Sequence, residues 1–273
     1  MTINCKGNLI DLSLPKVMGI LNLTPDSFFD GGKYKNTNDV LLQVETMLKQ
    51  GATFIDVGAY SSKPNASFVS EAEEMNRIIP IIQAIITEFP DIILSVDTFR
   101  SRVAKVSVLA GAAMINDISA GKLDENMLET VGQLHVPYIM MHMRGTPQTM
   151  QNLTEYESLL KDILFYFSER LFEAKKHHIT DIIIDPGFGF AKTREQNFEI
   201  LKHLEQFKIL KKLLLVGVSR KSMIYKTLQN TPNNALNGTT VLNTIALQKG
   251  ANILRVHDVK EAMECIKLTN EMN

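Results

Sequence analysis

The sequence predicts an α/β fold: a single (β/α)8 barrel over residues 1–273, with a short N-terminal β-hairpin. Three observations predict it. Eight short β-branched apolar runs alternate with longer amphipathic stretches. The runs are apolar without alternation, as strands covered on both faces must be. The length of 273 residues suits one barrel of this kind, which typically takes about 250. An open doubly wound sheet shares the same rhythm. It would usually declare a Gly-rich phosphate turn after its first strand, where this chain has Asn22-Leu23-Thr24-Pro25.

The elements follow in order. Ile3 to Ile10 reads as a hairpin capping the bottom of the barrel. The first strand is Val17–Leu23, followed by Leu41, Val44 and Leu48 at helical spacing. The second is Phe54–Val57, followed by Met75, Ile78, Ile79, Ile82, Ile85, Ile86 and Phe89 on a helical stripe. The third is Ile92–Val96 and the fourth Met114–Ile118. The fifth is Pro137–Met143, before the stripe Leu160, Ile163, Leu164, Phe167, Leu171 and Ala174. The sixth, seventh and eighth are Asp181–Asp185, Leu213–Val218 and Ile253–Val256, with a last helix from Lys260 to Met272. Gly51, Gly111 and Gly250 stand where helices stop, because glycine enters the left-handed region without penalty.

Composition excludes several classes. With 45% hydrophobic and 22% charged residues, the chain is an ordinary globular sequence, not a disordered one. A net charge of −1 gives no global field toward nucleic acid or a membrane. Neither a signal-peptide pattern nor a spanning apolar run of roughly 18 residues is present, which predicts a cytoplasmic protein. Cys5 and Cys265 sit in no metal or redox spacing and read as reduced thiols. The six histidines include no HExxH, so protein-ligated zinc is not expected; His135, His177, His178 and His203 read as solvated positions on helices.

Polar residues concentrate at the strand ends, where barrels of this kind carry their chemistry. They are Asn22, Asp56, Asp97, Asn116-Asp117, His142, Asp185, Ser219-Arg220-Lys221 and Arg255-Val256-His257-Asp258. Burying such groups costs several kcal/mol unless they are paired, so eight strands ending this way should meet at one mouth. Asp97, Asn116 and Asp185 are acceptors for a flat, donor-rich heterocycle, whose adjacent N–H groups a carboxylate can take in parallel. Arg220, Lys221, Arg255 and His257 suit a phosphate or diphosphate. Gly187-Phe188-Gly189-Phe190 is a tight turn with an exposed aromatic rather than a dinucleotide fingerprint. Met141 and Met143 are placed to pack adaptably on a flat ring.

These residues resemble those of the dihydropteroate synthase family. Met18-Gly19-Ile20-Leu21-Asn22-Leu23-Thr24-Pro25-Asp26-Ser27-Phe28 resembles its first signature, continuing to Gly32. Ser95-Val96-Asp97-Thr98, Ile115-Asn116-Asp117-Ile118, Met141-His142-Met143, Asp185 to Phe190, Ser219 to Ser222 and Arg255 to Asp258 match its later motifs in order. The resemblance implies condensation of 6-hydroxymethyl-7,8-dihydropterin diphosphate with p-aminobenzoate, by dissociative substitution. It implies that Asp97, Asn116, Asp185 and Lys221 hold the pterin, beside Met141, Met143 and Phe190. Asn22, Arg255 and His257 would hold the diphosphate, Asn22 partly through Mg²⁺. Phe28, Ser62, Lys63, Pro64 and Ser222 would frame p-aminobenzoate. Lys221, Arg255, His257 and Asp97 would carry the catalysis, in a homodimer.

The second loop departs from the family pattern Gly-Gly-Glu-Ser-Thr-Arg-Pro-Gly and reads Gly58-Ala59-Tyr60-Ser61-Ser62-Lys63-Pro64-Asn65. Tyr60 removes a carboxylate, and Lys63 keeps charge but loses the planar fork. Other readings make different demands. A methyltetrahydrofolate:corrinoid methyltransferase shares the acceptor set but has no need of Ser219-Arg220-Lys221 or Arg255-Val256-His257. A non-catalytic pterin-binding paralogue need not hold diphosphate. An aldolase or isomerase barrel wants a Schiff-base Lys or a Glu at a strand end, and no Glu stands at one.

Overall fold

The computed structural model describes residues 1–23, 36–60 and 69–272. The chain opens with an antiparallel hairpin, β1 (Thr2–Cys5) and β2 (Asn8–Asp11), turned at Lys6-Gly7, where φ is 54° and 87°. Two successive positive φ values give a turn whose twist matches the strands. Then come β3 (Lys16–Asn22), α1 (Thr37–Lys49), β4 (Phe54–Gly58), α2 (Glu71–Glu88), β5 (Leu94–Asp97) and α3 (Ser101–Leu109). They are followed by β6 (Met114–Asp117), α4 (Met127–Leu134), β7 (Tyr138–Met141), α5 (Leu159–Lys176), β8 (Ile182–Asp185) and α6 (Arg194–Lys202). The chain continues through β9 (Leu213–Val216), α7 (Ser222–Thr227), α8 (Leu236–Gln248), β10 (Ile253–Val256) and α9 (Val259–Asn270). The strands β3 to β10 pair in parallel and in sequence order, and β10 pairs with β3 to close the barrel. Closure excludes the open sheet. Each observed strand begins and ends within two residues of its predicted run.

Three helices end in one way. After α1, the Gly51 N–H donates to Leu48 and the Ala52 N–H to Met47; Gly111 and Ala112 after α3, and Gly250 and Ala251 after α8, repeat the pattern. All three glycines have φ between 99° and 122°. This is the Schellman closure, which satisfies carbonyls a helix end leaves open.

Side-chain parity divides the core. One set of alternate strand residues enters the barrel: Met18, Phe54, Met114, Ile139, Ile183, Leu213, Leu215 and Ile253 form one buried cluster with Ile3, Cys5 and Leu12. The hairpin therefore closes the amino-terminal end of the barrel, as its position in the sequence predicts. The opposite parity (Val17, Leu21, Ile55, Val57, Leu94, Val96, Ile115, Met140, Ile184 and others) packs outward under the helices in a larger cluster. Cys5 and Cys265 are free and buried, and fall in these two separate clusters.

Candidate active site

The inward parity that makes the lower layer apolar brings Asn22, Asp56, Asp97, Asn116, Met141, Asp185 and Arg255 to the carboxyl ends of the strands. Contacts between strands that are not neighbours show that these side chains meet across the interior. Asp56 on β4 accepts at Oδ2 from Asn116 Nδ2 on β6 (2.9 Å) and from Arg255 Nε on β10 (2.7 Å). The Arg255 guanidinium also donates from Nη2 to Asp97 on β5 (3.0 Å). Asp56 is fully buried, and its Oδ1 has no hydrogen-bond partner among the described residues.

The electrostatics follow from this crowding. Burial pushes the Asp97 carboxyl up to about 7; Arg255 opposes the shift, while Asp56, Glu74 and Asp117 add to it. Burial acts to lower the Arg255 pKa, but Asp56 and Asp97 outweigh it and the net shift is upward. Asp185 is raised by burial against the pull of Lys221, and Lys221 is lowered to about 8 by burial against the pull of Asp185. Lys221 donates to the carbonyl of Phe188, and its Nζ lies 4.9 Å from the centroid of the Phe190 ring. Asp185 accepts the Gly187 N–H at 2.8 Å. Gly187 has φ 72°, and a Cβ there would stand 2.2 Å from the His142 carbonyl oxygen, so only glycine fits. Met141 lies opposite Asp185 in the sheet, and Met141, Met143 and Phe190 belong to one apolar cluster above the mouth. Phe190 is half-buried rather than exposed, while Phe188 is fully buried.

Several strand-end groups do not join the mouth. Arg220, expected to face a phosphate, is committed elsewhere. Its Nε and Nη2 each donate to Asp258 at 2.8 Å, and its Nη1 donates to the carbonyls of Pro232 and Asn233. Asp117 and His142 have the outward parity. Asp117 accepts from the Tyr138 hydroxyl (2.6 Å), from Ser119 and from the Gly121 N–H, and so builds the β6–α4 loop. His142 is buried against Tyr166, 4.8 Å between ring centroids, and its Nδ1 meets Lys192 Nζ at 2.9 Å. Burial holds the His142 pKa well below the ordinary histidine value, with Lys192 adding to the effect. A cavity of about 560 Å³ opens here between Lys122, Arg144 and α5, with His142, Met143 and Tyr166 in its lining.

Of the other expected site residues, His257 is half-buried one residue beyond β10, with Nδ1 3.1 Å from Ser219 Oγ. Ser222 is the first residue of α7, next to Lys221. Asn22 ends β3, with its Oδ1 3.7 Å from where a Cβ on Gly58 would stand and Asp97 nearer still. Phe28, Ser62, Lys63 and Pro64 lie outside the described residues. Tyr60 accepts from Gln148 at 3.0 Å and stands edge-on to Phe99, with the Arg100 guanidinium 5.3 Å from its ring. The lost carboxylate at this position is thus replaced by an aromatic on a cation.

Asp56, in the sequence only a strand-end residue, bridges Asn116 and Arg255 at the centre of the mouth. Its signal was parity: Phe54, Asp56 and Gly58 face the same way. Lys192 gave no signal at all. It is buried, and it donates to the carbonyls of Gly187 (2.9 Å) and Phe190 (2.9 Å), tying down the turn that carries Phe190.

The family model described as "Pterin binding enzyme" matches residues 18–257. A dihydropteroate synthase of Synechocystis sp. is 45% identical over 259 residues, 94% of this chain and 89% of that protein. A Yersinia pestis dihydropteroate synthase, solved as a sulfonamide drug complex, superposes with a TM-score of 0.96 at 40% identity, covering 100% of this chain and 99% of that one. The Xanthomonas albilineans dihydropteroate synthase solved with 4-aminobenzoic acid gives a TM-score of 0.91 at 34% identity, covering 99% of this chain and 97% of that one.

Proposed function

The chain belongs to the pterin-binding enzyme family, among its dihydropteroate synthases, and from that premise we infer how its barrel mouth performs their reaction. The reaction is a transfer: 6-hydroxymethyl-7,8-dihydropterin diphosphate and p-aminobenzoate give 7,8-dihydropteroate and diphosphate, in folate synthesis. The observation that carries the site assignment is the Arg255 guanidinium bridging Asp56 and Asp97 across the barrel. A buried ion-pair network adds little to stability over an apolar core. Its presence at the mouth is explained by a ligand that needs both charges.

The pterin presents its N–H donors to Asp97, Asn116 and Asp185, and its acceptor atoms to Lys221. Met141, Met143 and Phe190 cover its face. Asp56 adds a carboxylate oxygen beside Asn116 that has no partner among the described residues. Arg255 makes no hydrogen bond through Nη1 among the described residues, so that donor remains for the diphosphate, with His257 beside it. The substitution is dissociative. The methylene C–O bond breaks, and its electron pair goes to the departing diphosphate oxygen. The cation left on the pterin is stabilised by the Asp97 and Asp185 carboxylates, and Arg255, His257 and Lys221 stabilise the growing negative charge. The aniline nitrogen then forms the C–N bond and loses its proton to solvent, with no strong base required. p-Aminobenzoate is held by Ser222 and by Phe28, Ser62, Lys63 and Pro64.

Magnesium fits as a sparse site. Among the described residues no group of three or more Asp, Glu, His or Cys side chains is arranged to hold a metal ion by itself. Asn22 offers a neutral oxygen at the mouth, and Mg²⁺ commonly takes one or two protein ligands and completes its shell with substrate phosphates and water. Bound there, it would neutralise diphosphate charge. The homodimer is part of the same proposal, and sedimentation equilibrium tests it. No helix among the described residues is long and apolar enough to cross a membrane.

The functional test is diphosphate release by the purified protein. Release coupled one-to-one with dihydropteroate formation, and dependent on both substrates, is expected. A normal secondary isotope effect at the dideuterated methylene is expected for the dissociative route, and a value of unity would refute that route.

A further inference from the structure

We infer that Ser219 is a positioning residue for the reaction: its hydroxyl holds the His257 ring with Nδ1 unprotonated, so that Nε2–H is the donor offered to the diphosphate. The inference rests on the reading that His257 meets the diphosphate. Ser219 is buried between the ends of β9 and β10. Among the described residues its Oγ makes two contacts, both with His257: it accepts the backbone N–H at 3.2 Å and lies 3.1 Å from Nδ1. A hydroxyl has one hydrogen and two lone pairs. The backbone N–H can only donate, so it occupies a lone pair. Nδ1 is then the acceptor in reach of the hydroxyl hydrogen among the described residues. A neutral imidazole that accepts at Nδ1 carries its proton on Nε2.

The neighbouring residues fix this contact. Arg220 and Asp258, the next residues in each loop, are joined by two 2.8 Å bonds, and the Arg220 N–H donates to Thr239 Oγ1 at 3.0 Å. Arg220 has φ 54°, a left-handed conformation held by these bonds. The cation that does not reach the mouth therefore serves it by locking the Ser219 and His257 loops together. The opposite tautomer would turn the Nε2 lone pair toward an anionic leaving group and repel it.

The test uses the full-length enzyme labelled with [¹⁵N]histidine and long-range ¹H–¹⁵N correlation at about pH 8.5, roughly two units above the reference histidine pKa. His257→Gln assigns the signal. The wild type is expected to show an unprotonated Nδ1 and a protonated Nε2. In Ser219→Ala both nitrogens should move toward averaged positions. Its kcat should fall roughly two- to tenfold, the worth of one hydrogen bond, with the pterin KM within about twofold. Ser219→Thr should restore spectrum and kcat. A protonated Nδ1 in the wild type overturns the inference. So does a Ser219→Ala enzyme that melts earlier but keeps its tautomer and kcat. If His257→Ala leaves inhibition by free diphosphate unchanged, the diphosphate reading fails and this role falls with it, even where the wild-type tautomer is as expected.

Discussion

Replacing Asp97 by Asn should stabilise the ligand-free protein while disabling it. The Asp97 carboxyl is raised from 3.8 to about 7, chiefly by burial. The folded protein thus holds this proton more tightly than the unfolded chain does. Stability from this group is fully present below an unfolded pKa of ~3.9 and is lost as pH rises through about 7. The difference corresponds to ~4 kcal/mol at most. The Asp97 side chain is 22% exposed, so water screens part of this, and a gain of about 1–3 kcal/mol at pH 8 is the expectation. The Asp97→Asn side chain keeps an oxygen for Arg255 Nη2 but carries no charge, so the gain should shrink to about a third of its pH 8 value at pH 5 and vanish below about pH 4. Urea unfolding of both proteins at pH 5 and pH 8 measures it. Calorimetry should show pterin affinity down by about tenfold or more, from loss of a charge-assisted bond. A variant no more stable than wild type at pH 8, or equally stabilised at both pH values, would refute the argument that burial strains this carboxylate.

Asp185→Asn should weaken pterin binding by about 1.5–3 kcal/mol, read by calorimetry, and an unchanged affinity removes Asp185 from the pterin site. Arg255→Ala leaves Asp56 buried with Asn116 as its remaining donor among the described residues and should cost about 3–5 kcal/mol of stability at pH 8. Per folded molecule, its kcat should fall more than its pterin affinity; a rise in KM alone would make Arg255 a ground-state clamp. Gly132→Ala in α4 should destabilise although alanine gains about 1 kcal/mol in helix propensity, because the new Cβ would stand 2.1 Å from the His177 carbonyl oxygen. Thermal unfolding decides this, and a raised Tm would mean that α4 and α5 can part freely.

Much of the site was legible because chemistry and position coincide in this fold. Strand ends can be read from where an apolar run stops, and the carboxyl ends of barrel strands form one mouth. Asp97, Asn116, Asp185 and Arg255 could be named on that basis. Two of the departures, at Asp117 and His142, share a cause. Runs apolar on both faces hide their parity, so Asp117 and His142 read like their inward-facing neighbours Asn116 and Met141. Arg220 was misread for another reason: its left-handed backbone turns the guanidinium to Asp258, and a one-dimensional pattern carries no such turn.

The sequence by itself determined the elements and their order, because apolar runs, helical stripes and stop glycines are local properties with a fixed period. It also determined the chemical inventory of the strand ends, and the resemblance carried by that inventory held. Tertiary structure decided which members of the inventory meet. Asp56, Asn116 and Arg255 lie on strands that are not neighbours, and closure of the barrel sets Asp56 2.9 Å from Asn116 and 2.7 Å from Arg255. Ser219 and His257 are 38 residues apart in sequence, and the adjacency of β9 and β10 sets them 3.1 Å apart. These distances depend on strand register and loop conformation, and both are fixed by the packing of the whole barrel rather than by any segment of it.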